Sequence, residues 1–292
     1  MIMPELPHVI VVAGPTASGK SDFAVELAQQ CNGEIISADS CQIYRGLNIG
    51  TGKITQVEMK GIPHHMLDIA DIDQDFSVLL YVQKTLPIIE DILARKKTPI
   101  ICGGTGQYLD AIMYTNTPPE VPPNTTLRKK LATYSLDELH KELTKLDARR
   151  AATVDKHNRV RLVRAIEIAH AIGSVPEQQS IIPRYKITMY LLNPSKEVLE
   201  QRVHARLLKR FEAGMIEEFT NLVSSGYDPK IIAKRGIEYK HISNYLAGKY
   251  TYEELIERLR IATWQYAKRQ RTWNKKYLAR KVPIDELHVV ES

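Results

Sequence analysis

The chain is poor in the features that would place it outside the cytoplasm or in a membrane. Its 292 residues include three cysteines, Cys31, Cys41 and Cys102, which are too few and too scattered for a disulfide framework or a zinc knuckle. No segment approaches the roughly 18 to 20 apolar residues that a membrane span requires. Residues 1–6 lack the basic region followed by an apolar one that forms a secretory signal. We therefore expect a cytoplasmic protein with no membrane partner.

Acidic residues are missing from one long segment near the end of the chain. The whole chain carries a formal net charge of +6, which permits an anionic partner without requiring one. Nine basic residues and no acidic residue fall between positions 258 and 281, at Arg258, Arg260, Lys268, Arg269, Arg271, Lys275, Lys276, Arg280 and Lys281. Charge alone leaves two interpretations, a solvated helix face or a surface that binds nucleic acid.

Short apolar runs alternate with helical patterns along most of the chain. Four runs have the composition of buried parallel strands, at 8–14, 33–39, 98–104 and 186–192. Segments 21–31 and 77–97 have helical spacing, and we expect Pro87 to kink the second helix or restart it. Strands that alternate with helices predict an α/β core with a mostly parallel sheet.

A proline-rich segment interrupts this pattern. Residues 115–124 hold four prolines, which exclude a helix or a central strand and indicate a linker. The residues from Thr126 to about Ile172 are polar and helical in pattern, and the strand at 186–192 returns the chain to the sheet. We predict a first core part at 1–116, an inserted helical domain at 117–183, and a second core part at 184–292 with basic helices.

The strongest local signal is a glycine-rich segment between the first strand and the first helix. Gly14, Gly19, Lys20 and Ser21 match the spacing G-x-x-x-x-G-K-[ST], in which backbone N–H groups surround phosphate oxygens. The helix N-terminus adds its positive dipole end, Lys20 adds a charge for the terminal phosphate, and Ser21 offers a hydroxyl ligand for Mg²⁺. The motif is typical of nucleotide-binding and ATP-binding enzymes, but it does not by itself identify the reaction.

Candidate reactive groups follow the second strand. Asp39 ends this strand, where its carboxylate could accept a proton, hold a magnesium-bound water or cap a helix. Gln42 has an amide that can pair with both the donor and the acceptor edges of a base. We expect Cys41 to be a small buried side chain instead of a nucleophile, since no activating base is evident.

The third strand ends in a threonine among glycines. Thr105 lies within Gly103-Gly104-Thr105-Gly106, which indicates either a close approach to the backbone or a turn with positive φ. Elsewhere, the adjacent His64 and His65 point in different directions and make a poor metal pair. We expect these two histidines to be structural.

Six motifs follow one another along nearly the whole chain. They are GPTASGKS (14–21), ISADSCQIYRGLNIGTGK (36–53), PHHMLDI (63–69), GGTGQYL (103–109), RLVRAIEI (161–168) and QYAKRQRTW (265–273). In this order they resemble the tRNA dimethylallyltransferases, also called tRNA isopentenyl transferases. The zinc-finger tail of eukaryotic members has no counterpart in the sequence, so the resemblance is to the bacterial type. It implies a P-loop NTPase-like parallel sheet with an inserted helical domain and a helical C-terminal part.

The resemblance also implies a reaction. Members of this family transfer the dimethylallyl group of dimethylallyl diphosphate to N6 of adenine 37, next to the anticodon, in tRNAs that read codons beginning with U. Diphosphate is released, and Mg²⁺ is the expected cofactor. A base in the anticodon stack must be flipped out to reach a buried donor, and the binding of RNA to basic helices should be sensitive to salt. We expect a monomer.

The family's functional residues map onto this sequence position by position. Asp39 matches the catalytic base, and Thr105 and Lys20 match groups that act near the reacting atoms. Residues implied to bind the diphosphate are Gly14, Pro15, Thr16, Ala17, Ser18, Gly19, Lys20, Ser21 and Arg206, with Ser21 on the metal. Residues implied to contact tRNA are Asp39, Ser40, Cys41, Gln42, Thr105, Arg128, Val160, Arg161, Leu162, Val163, Arg164, Arg235, Tyr239 and Lys240.

The sequence departs from the family's pattern at four positions. The family usually has Leu at Gln107, Met at Arg210, Gly at Glu238 and Arg at Trp264. None of these changes removes an implied catalytic group. Glu238 and Trp264 alter helices that are implied to touch tRNA.

Two other functions compete with this interpretation. A kinase for a nucleotide or metabolite would use the phosphate loop, Asp39 and the insertion as a lid, but it would leave Gln42 and the basic terminal segment unexplained. An RNA-binding protein that hydrolyses nucleotide as a switch is disfavoured, since no separate Asp after an apolar strand looks like a Walker B element.

Overall fold

The structure is a computed structural model that describes residues 5–115, 119–177 and 181–291. The predicted boundary at 116–117 and the first residues, 1–4, lie outside the described residues. In chain order the elements are β1 (His8–Ala13), α1 (Lys20–Gln30), β2 (Gly33–Ser37), β3 (His64–His65), α2 (Val78–Ala94), β4 (Thr98–Gly103), α3 (Gly106–Met113), α4 (Thr125–Leu131), α5 (Leu136–Leu146), α6 (Ala148–Thr153), α7 (Arg159–Ile172), β5 (Lys186–Leu192), α8 (Lys196–Glu212), α9 (Met215–Ser224), α10 (Pro229–Ile232), α11 (Ile237–Leu246), α12 (Tyr252–Leu278) and β6 (Glu286–Val290). In the described part of the chain, no helix is both long enough and apolar enough to cross a membrane.

The strands form one sheet in which every neighbouring pair is parallel. Their order is β3-β2-β4-β1-β5-β6. The four predicted strands are confirmed, and so is the α/β class with a parallel sheet. Strands β3 and β6 were not predicted. The first consists of two half-buried histidines, and the second is an edge strand with largely exposed side chains, so neither has the apolar run of a central strand.

The two faces of the sheet carry separate apolar clusters. On one face, Val11 and Ile101 pack among buried residues of α2 and α3. On the other face, Val12 and Ile100 pack against α1. Successive side chains of a strand point to opposite faces of the sheet. The continuous apolar runs seen in the sequence therefore place apolar side chains on both faces, and both faces are buried. Helix α2 continues through Pro87 as one helix, and the restart that we considered is not observed.

Contacts divide the chain into two compact units. The first comprises Met1–Thr115 and Ile181–Ser292, and the second is Asn116–Ser180. The second unit contains α4 to α7 and buries its own apolar core, which includes Leu131, Leu139, Leu143, Leu162 and Ile166. The helical pattern predicted from Thr126 to about Ile172 is therefore confirmed. A tRNA contact by this unit stays a prediction.

Helices α8 to α12 form a second apolar core within the first unit. Ile43 and Leu47, from the segment that follows β2, are fully buried against Phe219, Tyr239 and Leu255 of these helices. Burying an apolar side chain of this size stabilises the fold by roughly 1.5 to 3 kcal/mol. The segment after β2 is thus anchored to the helices, and this anchoring determines where its polar residues lie.

A buried carboxylate explains the two adjacent histidines. The side chain of Glu34 on β2 is 3% exposed and accepts hydrogen bonds from Arg95 Nη2 at 2.8 Å and Lys97 Nζ at 2.7 Å. His65 Nε2 lies 2.8 Å from the same carboxylate, and His64 Nδ1 lies 2.8 Å from the carbonyl oxygen two residues earlier. His65 is therefore structural, as expected, whereas His64 bonds to the local backbone and also lines a cavity.

Replacing Glu34 with glutamine should lower the free energy of unfolding at pH 7 by about 2 kcal/mol, because partly exposed cations lose a buried charged acceptor. Arg95, with help from Lys97 and His65, holds the pKa of Glu34 well below its usual range. The contribution of the carboxylate is therefore present above the ordinary carboxyl pKa and is lost as the pH falls. Urea unfolding at pH 7 and pH 3 measures this. An equal difference between wild type and variant at both pH values would contradict it.

Candidate active site

The phosphate loop lies between β1 and α1. Helix α1 begins at Lys20, and the two residues Ala17 and Gly19 before it have φ values of 63° and 85°. Residues in this left-handed region let successive backbone N–H groups form a concave site for an anion. The Ser18 N–H donates to the Pro15 carbonyl at 3.3 Å, which closes the turn. The backbone thus has the shape that a bound phosphate requires.

Lys20 supplies a half-buried positive charge to this loop. Its Nζ donates to the carbonyl oxygen of Pro15 at 3.3 Å. Burial lowers the pKa of Lys20, nearby Arg206 lowers it further, and Asp39 opposes both effects. The three side chains therefore lie within electrostatic reach of one another. A bound anion would offset the repulsion between the two cations.

Gln270 of α12 supports the phosphate loop from 254 residues away in the sequence. Its Oε1 accepts a hydrogen bond from the Thr16 N–H at 2.7 Å, and its Nε2 donates to the Gly104 carbonyl at 2.9 Å. The residue is 6% exposed. It joins the phosphate loop to the turn after β4. Our sequence analysis missed this role, since a glutamine within a basic helix has no pattern of its own beyond its place in the motif at 265–273.

Asp39 follows β2 and faces the same cavity as Lys20. Its Oδ1 accepts hydrogen bonds from the N–H groups of Cys41 at 2.9 Å and Gln42 at 3.4 Å. A capping role is therefore observed, on a turn instead of a helix. Among the described residues no hydrogen bond reaches Oδ2, so this oxygen can accept a proton. Burial and the neighbouring Asp39 raise the pKa of Cys41, which keeps the thiol protonated.

Thr105 links the turns that follow β2 and β4. Its Oγ1 accepts a hydrogen bond from the Ser40 N–H at 3.1 Å, and its own N–H donates to the Ala38 carbonyl at 3.1 Å. Tyr266 of α12 lines the same cavity as Asp39, and burial followed by nearby Asp39 raises the pKa of this tyrosine. Tyr266 thus belongs to the site, although our sequence analysis did not predict it.

The glycines on either side of Thr105 are explained by the chain itself. An added Cβ would overlap other atoms of the protein: the Ala38 backbone at Gly103, the Gln270 amide at Gly104 and the Trp273 ring at Gly106. None of the three has positive φ. Close approach accounts for these glycines, and the approaching atoms belong to the protein.

The loop formed by residues 48–53, called the 48–53 loop below, accepts a hydrogen bond from the side-chain amide of Gln42. Gln42 Nε2 donates to the Gly52 carbonyl at 3.2 Å, and Gln42 Oε1 accepts from Ser37 Oγ at 3.4 Å. The same Gly52 oxygen accepts a hydrogen bond from Arg206 Nη2 at 3.1 Å. Arg206 Nη1 also lies 3.5 Å from Thr16 Oγ1 in the phosphate loop. One carbonyl oxygen therefore connects Gln42 to the arginine beside the phosphate loop.

Glu218 of α9 holds the other side of the 48–53 loop. Its carboxylate accepts hydrogen bonds from three successive N–H groups, those of Asn48 at 2.8 Å, Ile49 at 2.7 Å and Gly50 at 3.0 Å. The Tyr239 hydroxyl donates to the same carboxylate at 2.7 Å, and Tyr239 is fully buried. A direct contact between the Tyr239 side chain and RNA is incompatible with this burial. Its observed role is to support the loop.

Arg206 is a buried cation of the cavity. Burial, followed by the charge of Arg210, lowers the pKa of Arg206 to about 10. Glu238 and Asp39 oppose this effect. Arg206 remains charged at neutral pH, and an anionic ligand would relieve the cost of burying it.

One cavity of about 1370 Å³ joins these groups. Its lining includes Thr16, Lys20, Ser21, Asp39, Gln42 and Arg206. Sites for single small ligands usually measure roughly 300 to 1,000 Å³. The cavity is therefore large enough for two substrates that meet inside it.

Two other residues of the first unit that were predicted to bind RNA differ in how far their side chains are already engaged by the protein. Lys240 is exposed and lines the cavity. Arg235 instead donates from Nε to the Ile72 carbonyl at 2.6 Å and stacks 4.7 Å from the centre of the Tyr44 ring. Arg235 thus already stabilises the protein, while Lys240 stays free to approach a ligand.

The predicted RNA-binding residues of the second unit lie within α4 and near the start of α7. Val160 is 77% exposed and Arg161 is also exposed, whereas Leu162 is fully buried in the unit's core. Val163 packs partly against the same core. A direct contact between the Leu162 side chain and RNA is incompatible with this burial, while Val160 and Arg161 are accessible.

Two arginines of the second unit share one buried carboxylate. Arg128 donates from Nε and Nη2 to Glu167 at 2.6 and 2.8 Å. Arg164 lies 3.4 Å from the same carboxylate and donates to the Val121 carbonyl at 2.8 Å. Glu167 therefore fixes the position of both arginines.

The donor groups present suit a magnesium ion held mainly by a substrate. Ser21 is exposed in the first turn of α1 and lines the cavity. Within the described ranges, no group of three or more His, Cys, Asp or Glu side chains could hold a metal by itself. Protein sites for Mg²⁺ commonly use one or two protein oxygens together with substrate phosphates. The Ser21 hydroxyl beside a bound diphosphate fits that arrangement.

Comparisons with known proteins agree with this architecture. A eukaryotic dimethylallyltransferase, crystallised acting on tRNA, aligns with a TM-score of 0.83 at 29% identity, over 98% of this chain and 74% of that one. The crystal structure of a full-length tRNA isopentenylpyrophosphate transferase from Bacillus halodurans aligns with a TM-score of 0.71 at 34% identity, over 98% of this chain and 90% of that one.

Sequence similarity extends along the same length. A tRNA dimethylallyltransferase of Pelotomaculum thermopropionicum is 38% identical over 276 residues, which cover 92% of this chain and 88% of that relative. The family model described as IPP transferase matches residues 42–277. Because the matched residues make up most of the chain, the chain belongs to the IPP transferase family.

Proposed function

We propose that the protein transfers the dimethylallyl group from dimethylallyl diphosphate to N6 of adenine 37, next to the anticodon, in tRNAs that read codons beginning with U. The observation that carries this proposal is the single cavity shared by the phosphate loop and by Asp39 with Gln42. The names of the relatives, tRNA dimethylallyltransferase and tRNA isopentenylpyrophosphate transferase, support the same chemistry.

The phosphate loop would hold the diphosphate of the donor. Thr16, Lys20 and Ser21 of this loop line one part of the cavity together with Arg206. The bond between an allylic carbon and diphosphate breaks early, because the allylic carbon can carry positive charge. Stabilising the departing anion is therefore the main catalytic task of these residues. Mg²⁺ bound through Ser21 and the diphosphate would supply additional positive charge to the leaving group.

Asp39 would act on the acceptor. The N6 amine of adenine is a weak nucleophile, because its lone pair is delocalised into the ring. As the new N–C bond forms, N6 must lose a proton, and Asp39 would accept it through Oδ2, because Oδ1 is held by the turn. Gln42 lies on the same turn and can pair with the base through its amide. Thr105 keeps this turn beside the phosphate loop through its hydrogen bond to Ser40.

The acceptor base must leave its stack to enter the cavity. Base flipping costs a few kcal/mol, least for bases in single-stranded regions such as an anticodon loop. Exposed cations such as Lys240 and Arg161 would offset this cost by binding the RNA backbone, with affinity that falls as salt rises. The proposal includes a cytoplasmic location and a monomeric state.

One assay tests the proposal. Purified protein, Mg²⁺ and dimethylallyl diphosphate are incubated with an unmodified tRNA that carries adenines at positions 36 and 37. Mass spectrometry of the digested tRNA should show one five-carbon unit added to adenine 37. A tRNA with guanine at position 37 is the matched control and should gain nothing. Absence of transfer, together with phosphoryl transfer from ATP to a small acceptor, would overturn the proposal in favour of a kinase.

A further inference from the structure

Arg210 and Glu238 both line the cavity and form an ion pair there. Arg210 Nη1 lies 3.1 Å from Glu238 Oε1, and the two side chains are 12% and 16% exposed. They stand in the last turn of α8 and the first turn of α11. A buried ion pair is weak evidence for stability, because apolar residues of the same volume often serve as well. The other contacts of the pair indicate a different role.

Arg210 also contacts the 48–53 loop. Its Nη1 donates to the Gly50 carbonyl at 3.2 Å. A Cβ at Gly52 would overlap the guanidinium groups of both Arg210 and Arg206, so the loop and the arginines are in close contact. The carboxylate of Glu218 binds the N–H groups of this loop, and the arginines bind its carbonyl groups. The loop is therefore held from two sides, and Glu238 holds one of the arginines.

The loop determines the orientation of Gln42. The Gly52 carbonyl accepts a hydrogen bond from Gln42 Nε2 at 3.2 Å, so a displaced loop would move this amide. A misplacement of about 1 Å near a reacting centre can cost roughly a hundredfold in rate. The pair adds one positive and one negative charge, which leaves the net charge of the cavity unchanged. Its effect should therefore fall more on the base beside Gln42 than on the diphosphate.

We propose that Arg210 is a positioning residue for the acceptor base and that Glu238 fixes Arg210 in place. This inference rests on the proposed function, since it assigns Gln42 to the adenine. Arg210 acts through the backbone of Gly50 to Gly52. The chain thus orients its base-reading amide with an ion pair.

Steady-state kinetics with tRNA and dimethylallyl diphosphate test the inference. Arg210→Met combined with Glu238→Ala, which leaves the net charge of the cavity unchanged, should lower kcat/KM for tRNA by about tenfold and change KM for dimethylallyl diphosphate by less than about threefold. Lys209→Met, at an exposed position on the same helix turn, is the matched control and should leave both constants unchanged. Glu238→Gln, which keeps a hydrogen-bond acceptor, should lose less than Glu238→Ala. A larger effect on the donor than on tRNA would overturn the inference.

A double-mutant cycle with Gln42 provides the sharper test. In a Gln42→Ala background, Arg210→Met should cause little further loss, because the amide that it positions is gone. Independent losses that simply multiply would overturn the inference. If wild-type protein transfers no dimethylallyl group at all, the proposed function fails instead, so the two failures are distinguishable.

Thermal unfolding separates positioning from stability. Arg210→Met with Glu238→Ala removes both buried charges together. The double variant should melt closer to wild type than either single variant does, because no uncompensated charge remains. Its kcat/KM for tRNA should stay low, because the bond to Gly50 is absent. Recovery of kcat/KM along with stability would show that the pair only balances charge, and would overturn the inference.

Discussion

Replacing Asp39 with asparagine should reduce dimethylallyl transfer by about a thousandfold, within the range that a general base usually contributes. Asparagine retains an Oδ1 that can accept the N–H bonds of Cys41 and Gln42, so the turn should keep its shape. It cannot take up the proton of N6. Single-turnover transfer with saturating tRNA measures this step directly.

Binding measurements identify the origin of the loss. The affinity of the Asp39→Asn variant for tRNA should stay near the wild-type value, and so should its melting temperature. Asp39→Ala should lose activity as well and, because it cannot accept the turn's hydrogen bonds, should also melt at a lower temperature. A large loss of tRNA affinity in Asp39→Asn would move this residue from catalysis to recognition.

Replacing Lys20 with methionine should lower kcat/KM for dimethylallyl diphosphate by about a hundredfold or more, because a half-buried charge facing the leaving group is removed. Burial lowers the pKa of Lys20, so the ammonium is held at a cost in free energy. The ligand-free variant should therefore melt at the same temperature as wild type or higher. Loss of activity without loss of stability is the expected signature of a binding residue.

Pyrophosphate provides a readout that does not depend on turnover. With Mg²⁺, it should raise the melting temperature of wild type, since a ligand that binds the folded state stabilises it. It should raise that of Lys20→Met little or not at all. Lys209→Met, which removes an exposed lysine, is the control and should respond like wild type. An undiminished shift in Lys20→Met would place the pyrophosphate outside the phosphate loop.

The parts of the fold with local signals could be predicted from the sequence. The four central strands were identified from their apolar runs, and the phosphate loop from the spacing of its glycines and Lys20. Asp39 was identified because it follows the carboxyl end of a strand in a parallel sheet, which is where ligands bind in such sheets. Each of these inferences depends on a short stretch of chain in which composition and function coincide.

The missed residues depend on contacts between distant parts of the chain. Gln270 and Tyr266 lie on a helix that we interpreted from its charges, yet both face inward to the turn at Thr105 and Gly104. Glu218 binds a loop 168 residues earlier in the sequence. Helical periodicity shows which side chains share a face, but not which distant backbone groups that face will meet. Such partners become visible only once the helices are placed.

The bond between Gln270 and Thr16 has a consequence for how the protein is made. Thr16 is synthesised 254 residues before Gln270, so the motif leaves the ribosome long before the helix that supports it. Domains form from the N-terminus as the chain emerges, at about 5 to 20 residues per second. For most of the time that the chain is being synthesised, the phosphate-binding motif is therefore complete but Gln270, which supports it, has not yet been made. The bond from Thr16 to Gln270 can therefore form only after the last tenth of the chain has begun to be made.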